Sequence, residues 1–147
     1  MKIAIGSDHA GYHLKKQVIN YLNSGSREAI DFGVLDETGA DYPDIAVAVV
    51  NAVKTRDCSF GILICGTGIG MSIAANKHHG IRAALCSESY SASCAREHND
   101  ANILTMGSRV LGQGLAIDIV ETFLSSSFDG GRHSRRLEKI TAIEQGL

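Results

Sequence analysis

The sequence predicts an α/β protein built on a doubly wound parallel sheet, and three observations carry that prediction. Short apolar runs of strand length alternate along the chain with longer stretches of helical periodicity. The run Gly61 to Ile64 is apolar without alternation, as a strand covered on both faces must be. It leads into Cys65-Gly66-Thr67-Gly68-Ile69-Gly70, a loop with a glycine at every second position. Units of this kind imply right-handed crossovers, and sheets built from them bind ligands at the carboxyl ends of their strands.

In chain order, Lys2 to Gly6 reads as the first strand. Leu14, Val18, Tyr21 and Leu22 mark one face of the helix after it, which Gly25 ends. Glu28 to Phe32 is the second strand, followed by a polar surface loop from Gly33 to Asp41. Pro43, the only proline, stands where it can open a helix. Ile45 to Val53 is apolar almost all round, which predicts a helix buried in part, with another subunit as one candidate cover. Ser59 to Cys65 is the third strand, and Met71 to Lys77 the amphipathic helix behind its loop. Ile81 to Leu85 and Ala101 to Met106 are the fourth and fifth strands, with a helix near Ser87 to Glu97 between them. A helix from Leu111 to Leu124 and a helical tail over about 132–145 complete the chain. With no repeat and no linker, residues 1–147 are expected to form one domain, long enough for one core.

Composition removes several functions. A net charge of -2 with mixed signs, no tryptophan and few aromatics gives no basic, stacking surface for nucleic acid. The apolar start is too short for a signal peptide and no run of membrane-spanning length occurs, so a cytoplasmic protein without membrane contact is expected. The spacing of Cys58, Cys65, Cys86 and Cys94 matches neither a metal site nor a disulfide scaffold, which predicts free thiols.

The chemistry gathers in four places. Glycines around Cys65 let backbone N–H groups approach an anion, and the following helix adds a partial positive charge suited to a phosphate, an oxyanion or a thiolate. Glycines at 66, 68 and 70 do not make a nucleotide fingerprint, and a small core residue is the plain alternative for Cys65. The first strand delivers Ser7-Asp8-His9-Ala10-Gly11 to the same edge, where Asp8 with His9 could serve as an acid–base or phosphate-facing pair. Equally, Ser7 or Asp8 could cap the first helix. His98, in Glu97-His98-Asn99-Asp100, precedes the fifth strand and so lies at the opposite, amino edge. It can be catalytic only in a second subunit's site or if that strand is reversed; otherwise Asn99 ends the helix in a left-handed conformation. Arg132 and Arg136 stand four apart, sharing a helix face that suits a phosphate or a solvated basic end. His13, His78, His79 and His133 read as surface or loop residues without a role.

Together, Ser7-Asp8-His9-Ala10-Gly11, Cys65-Gly66-Thr67-Gly68-Ile69-Gly70, Glu97-His98-Asn99-Asp100-Ala101-Asn102, Gly107-Ser108-Arg109-Val110 and Gly130-Gly131-Arg132-His133 resemble the family of type B ribose-5-phosphate isomerases. That family also holds galactose-6-phosphate and allose-6-phosphate isomerases, and the motifs occur in its order and at its spacing. The resemblance implies a Rossmann-like three-layer α/β/α fold with a five-stranded parallel sheet, and a homodimer that can pair into a tetramer. It implies active sites shared between subunits, a sugar phosphate as substrate, no metal and no cofactor. It makes Cys65 the base that moves a proton between C1 and C2 of the opened sugar through an enediolate, with Thr67 and the loop amides of Gly66, Gly68, Ile69 and Gly70 on the oxyanion. His98 from the partner subunit opens the furanose ring with help from Asp8, and Asn99 contacts the substrate. His9, Arg132, Arg136 and, as a fourth, Arg109 bind the phosphate. Isoleucine at position 69, where some members carry a glutamate base, places the chain in the cysteine-using branch. The resemblance leaves open a six-carbon substrate such as allose 6-phosphate or galactose 6-phosphate. A non-catalytic sugar-phosphate sensor would not need Cys65, and a thiol redox protein would need a nearby resolving cysteine that is missing.

Overall fold

In the computed structural model, which describes residues 1–147, the chain runs β1 (Lys2–Ser7), α1 (Tyr12–Ser24), β2 (Glu28–Asp31), α2 (Tyr42–Lys54), β3 (Phe60–Cys65) and α3 (Ile69–Ala75). It continues through β4 (Ala83–Leu85), α4 (Ser89–Glu97), β5 (Ile103–Gly107), α5 (Gln113–Ser125) and α6 (Arg132–Glu144). The strands form one sheet in the order β2-β1-β3-β5-β4, with every pairing parallel. The order reverses between β1 and β3, so the crevice that such sheets offer to ligands opens between the ends of these two strands.

Strand alternation divides the core between the two faces. Ile3, Ile5, Ile62, Ile64, Leu104 and Met106 point to one face and pack with Val18 and Leu22 of α1, Ala92 of α4 and Phe123 of α5. Ala4, Leu63, Cys65 and Ile103 point to the other face and pack with Val49 and Val50 of α2 and Met71 of α3. This is the expected three-layer sandwich. The sheet of the chain itself therefore covers most of the apolar surface of α2, and Val47 remains exposed. All four cysteines are free, and no helix is long and apolar enough to cross a membrane.

Several boundaries shift for local reasons. The helix behind the cysteine loop starts at Ile69 rather than Met71, because Gly68 turns the chain with φ +78. Helix α4 starts at Ser89 rather than Ser87, because the Glu88 carboxylate accepts the Ser91 N–H at 2.8 Å and caps it. Gly112, extended at φ −74 and ψ 156, moves the start of α5 to Gln113.

The two edge strands share a feature. On β2 the outward N–H of Ala29 donates to the Asn23 side chain at 2.9 Å. On β4 the Ala83 N–H donates to Asn76 Oδ1 at 2.8 Å, and Asn76 Nδ2 donates back to the Ala83 carbonyl at 2.8 Å. Helix α6 lies outside the sandwich; only His133 of its residues is buried, and its far end is tied by Gly80 N–H donating to Glu144 at 2.9 and 3.1 Å.

Candidate active site

Cys65 is the last residue of β3, buried, with Gly107 of β5 as its register partner. Its sulfur accepts the Gly68 N–H at 3.1 Å, which fixes the side chain at the mouth of the glycine loop. Only glycine permits this turn. A Cβ on Gly68 would lie 2.8 Å from the Met106 carbonyl carbon and 2.5 Å from Leu85 Cδ1, at a φ that side chains rarely adopt. Thr67 is exposed beside it, its hydroxyl accepting the Ile69 N–H at 3.3 Å. Gly70 is overlaid by the ring of Tyr42, whose Cζ stands 2.7 Å from where a Cβ would project.

The end of β1 meets this loop. Asp8 N–H donates to the Ile64 carbonyl at 3.2 Å, which fixes buried Asp8 alongside the end of β3. Its carboxylate accepts the Gly11 N–H at 3.1 Å, while His9 is exposed at the rim. The N-cap of α1 is Gly11, without a side-chain bond, so Asp8 holds the approach to the helix and neither Ser7 nor Asp8 is its cap. From the end of β5, Ser108 Oγ donates to the carbonyls of Ala10 at 2.8 Å and Cys65 at 3.1 Å, joining the three strand ends. Arg109 N–H donates to the Gly66 carbonyl at 3.0 Å, and its side chain runs over Gly66. The structure thus brings Asp8, His9, Cys65, Thr67 and Arg109 to one edge. Tyr42 carries no sequence signal for its place, and Ser108, though inside the motif Gly107-Ser108-Arg109-Val110, carries none for its bonds: both roles come from what they touch.

His98 is elsewhere. It closes α4 at the amino end of β5, and Cys65 sits opposite the far end of that five-residue strand, ~17 Å along the sheet. Its ring stacks on that of His133, with centroids 4.3 Å apart and planes 5° from parallel. His133, expected at the surface, is buried, because α6 folds back on the end of α4; the Asp129 N–H donates to the Glu97 carbonyl at 3.0 Å on the way. Arg132 Nε donates to His133 Nε2 at 3.3 Å, and Arg136 follows one turn later. Burial pushes the pKa of His133 down, and His98, Arg132 and Arg136 push it the same way against Asp129. The left-handed residue after α4 is Asp100, at φ +44, rather than Asn99.

His98, Asp129 and His133 bring ligand atoms within 4.8 Å of one another. Parallel stacked imidazoles direct their in-plane lone pairs side by side, so one ion cannot lie in both ring planes, and the cluster does not fit a metal.

Residues 3–140 match the Ribose/Galactose Isomerase family model. The chain is 51% identical over 144 residues to ribose-5-phosphate isomerase B of Escherichia coli strain K12, covering 98% of this chain and 97% of that one. The solved ribose-5-phosphate isomerase B of Clostridium thermocellum superposes with a TM-score of 0.98 at 55% identity, covering 99% of each chain. Type B ribose 5-phosphate isomerase of Trypanosoma brucei superposes at 0.93 with 45% identity and 97% of each chain covered. The chain belongs to the ribose/galactose isomerase family.

Proposed function

We propose that this member of the ribose/galactose isomerase family is a cytoplasmic aldose–ketose isomerase that interconverts ribose 5-phosphate and ribulose 5-phosphate, a step of the pentose phosphate pathway. The observation that carries the chemistry is the Cys65 sulfur, buried where the strand order reverses, with the Gly68 N–H 3.1 Å away. The Cys65 thiolate takes the proton from C2 of the open aldose. The released electron pair forms the C1–C2 double bond while the carbonyl pair moves to O1, giving the enediolate. The thiol then returns its proton to C1, and the proton of the C2 hydroxyl passes to O1 as the ketone forms at C2. Thr67 and the amides of Gly66, Gly68, Ile69 and Gly70 stabilise the oxyanion, and donors fixed in advance around developing charge are commonly the largest catalytic contribution.

His98 of a second subunit opens the furanose ring with Asp8, and Asn99 contacts the sugar. His9, Arg109, Arg132 and Arg136 hold the phosphate. Two features support a homodimer with shared sites. His98 and Cys65 of one chain occupy opposite ends of its sheet, and Ile69, Ile73 and Leu85 leave apolar surface exposed around the cysteine loop. The decisive assay follows turnover of ribose 5-phosphate and allose 6-phosphate by the native protein and by Cys65→Ala. The native protein should favour the five-carbon sugar by roughly tenfold or more, a scale set by ~1–3 kcal/mol for one carbon. Cys65→Ala should bind ribose 5-phosphate without converting it. Substantial turnover by that variant overturns the assignment, and a preference for the six-carbon sugar overturns the substrate.

A further inference from the structure

The turn that ends α4 carries a charge network that the proposed chemistry does not use. Asp100 has φ +44, a left-handed conformation uncommon outside glycine, and two arginines from different elements close on its carboxylate. Arg96, inside α4, donates from Nη1 to Asp100 Oδ1 at 2.8 Å and to the Ala101 carbonyl at 2.7 Å. Its buried guanidinium lies 4.6 Å from the ring centroid of Phe60 and 5.9 Å from that of Phe123, so this anchor is fixed to the core. Arg82, just ahead of β4, donates from Nη2 to Asp100 Oδ2 at 2.8 Å and to the Asp100 carbonyl at 2.7 Å. Its Nε is shared by the carbonyls of Asn99 and Asp100, both at 2.9 Å.

One carboxylate therefore ties the turn to the core through α4 and to the edge of the sheet at once. The residues immediately before it are His98 and Asn99. We infer that Asp100, gripped by Arg82 and Arg96, is a positioning residue that sets the backbone of this turn so that His98 and Asn99 meet the substrate in a reactive orientation. The inference rests on the reading of His98 as the ring-opening group. Charge-assisted hydrogen bonds to guanidinium are strong and directional, and a misplacement of about 1 Å in a reacting group can cost on the order of a hundredfold in rate.

Two substitutions and two reactions test it. Asp100→Asn keeps the shape and the tolerance for a left-handed backbone while deleting the charge, and Asp100→Gly keeps the backbone conformation without any side chain. Consumption of ribose 5-phosphate needs the furanose opened. Deuterium uptake from D2O at C1 of ribulose 5-phosphate uses Cys65 and its loop but no ring opening, since esterification of the C5 oxygen keeps that ketose open. Both variants should lower kcat for ribose 5-phosphate roughly tenfold or more and leave the exchange rate within about twofold, the same split as His98→Ala. The His98 ring-proton resonances, set by the stack on His133, should move in Asp100→Asn. If His98→Ala shows the split while the Asp100 variants lose both reactions in parallel or neither, positioning by Asp100 is overturned and the reading of His98 stands. Unmoved His98 resonances overturn it likewise. If His98→Ala shows no split, the reading of His98 falls and takes the inference with it.

Discussion

The carboxyl-edge and amino-edge clusters are built by different means. Around Cys65 the geometry is set by the main chain: the Gly68 amide reaches the sulfur, Asp8 N–H is bound to the Ile64 carbonyl, and Thr67 packs against Gly107 where no Cβ would fit. Around His98 it is set by side chains that come from distant parts of the chain: a stacked imidazole from α6, an arginine beside it, and two more arginines on Asp100. A main-chain site is as rigid as its sheet, whereas a side-chain site is as rigid as its hydrogen bonds. The first half tolerates few substitutions at its glycines, and the second is adjustable and depends on charge.

The sharpest way to break this division is to separate the two halves on different molecules. Cys65→Ala and His98→Ala proteins, each inactive on ribose 5-phosphate, should regain activity when mixed under conditions that exchange subunits. Random exchange gives about half mixed dimers with one intact site each, so about a quarter of wild-type sites. Proven exchange without recovery would end the two-chain site. A smaller effect measures main-chain rigidity. Gly68→Ala should destabilise by about 2–5 kcal/mol and lower the melting temperature by roughly 5–15 °C, because a strained φ and an overlap with the Met106 carbonyl carbon act together. Gly114→Ala, inside α5 with open space around it, should instead stabilise by about 0.5–1 kcal/mol. Equal losses in the two would show that the loop has no special geometry.

On the other half, Arg132→Ala and Arg136→Ala should raise KM roughly tenfold and change kcat by less than about threefold, since the phosphate does not react and is held alike in ground and transition states. An unchanged KM would move the phosphate elsewhere. The smallest effect is a pH dependence. His133 has its pKa lowered by burial first and by neighbouring cations second, from an ordinary value of 6.5. Its contribution to stability is therefore full above pH 6.5 and is lost as pH falls through that value, where the unfolded chain takes up a proton that the folded one resists. Thermal melts across this range should show a shallower slope for His133→Asn than for the native protein, and parallel slopes would remove His133 as the source.

Much of the first half was legible. An unbroken apolar run at Ile62-Leu63-Ile64 and glycines at every second position after Cys65 are local patterns with local causes, and parallel topology follows from alternation. The edge conflict of His98 was legible too, since it needs only the order of elements. What stayed hidden is tertiary. Nothing near His133 in sequence says that its ring will be covered by His98, thirty-five positions earlier. The approach of Tyr42 to Gly70 likewise follows from how α2 lies across α3, which periodicity does not encode. The left-handed residue after α4 was misplaced by one, because asparagine is the commoner choice and the arginines that stabilise Asp100 lie outside any local window.

Asn23 and Asn76 have a consequence that reaches beyond the single molecule. A β-sheet with open margins is a template on which another strand can add, and both margins of this one are short. At Ala29 and at Ala83 the outward N–H is already taken by an asparagine amide, and at Ala83 the carbonyl is taken as well. A second chain approaching either margin finds no free donor at these positions. Edge-to-edge addition of a second strand is opposed at both margins, and with it the continuous intermolecular sheet that leads to aggregation.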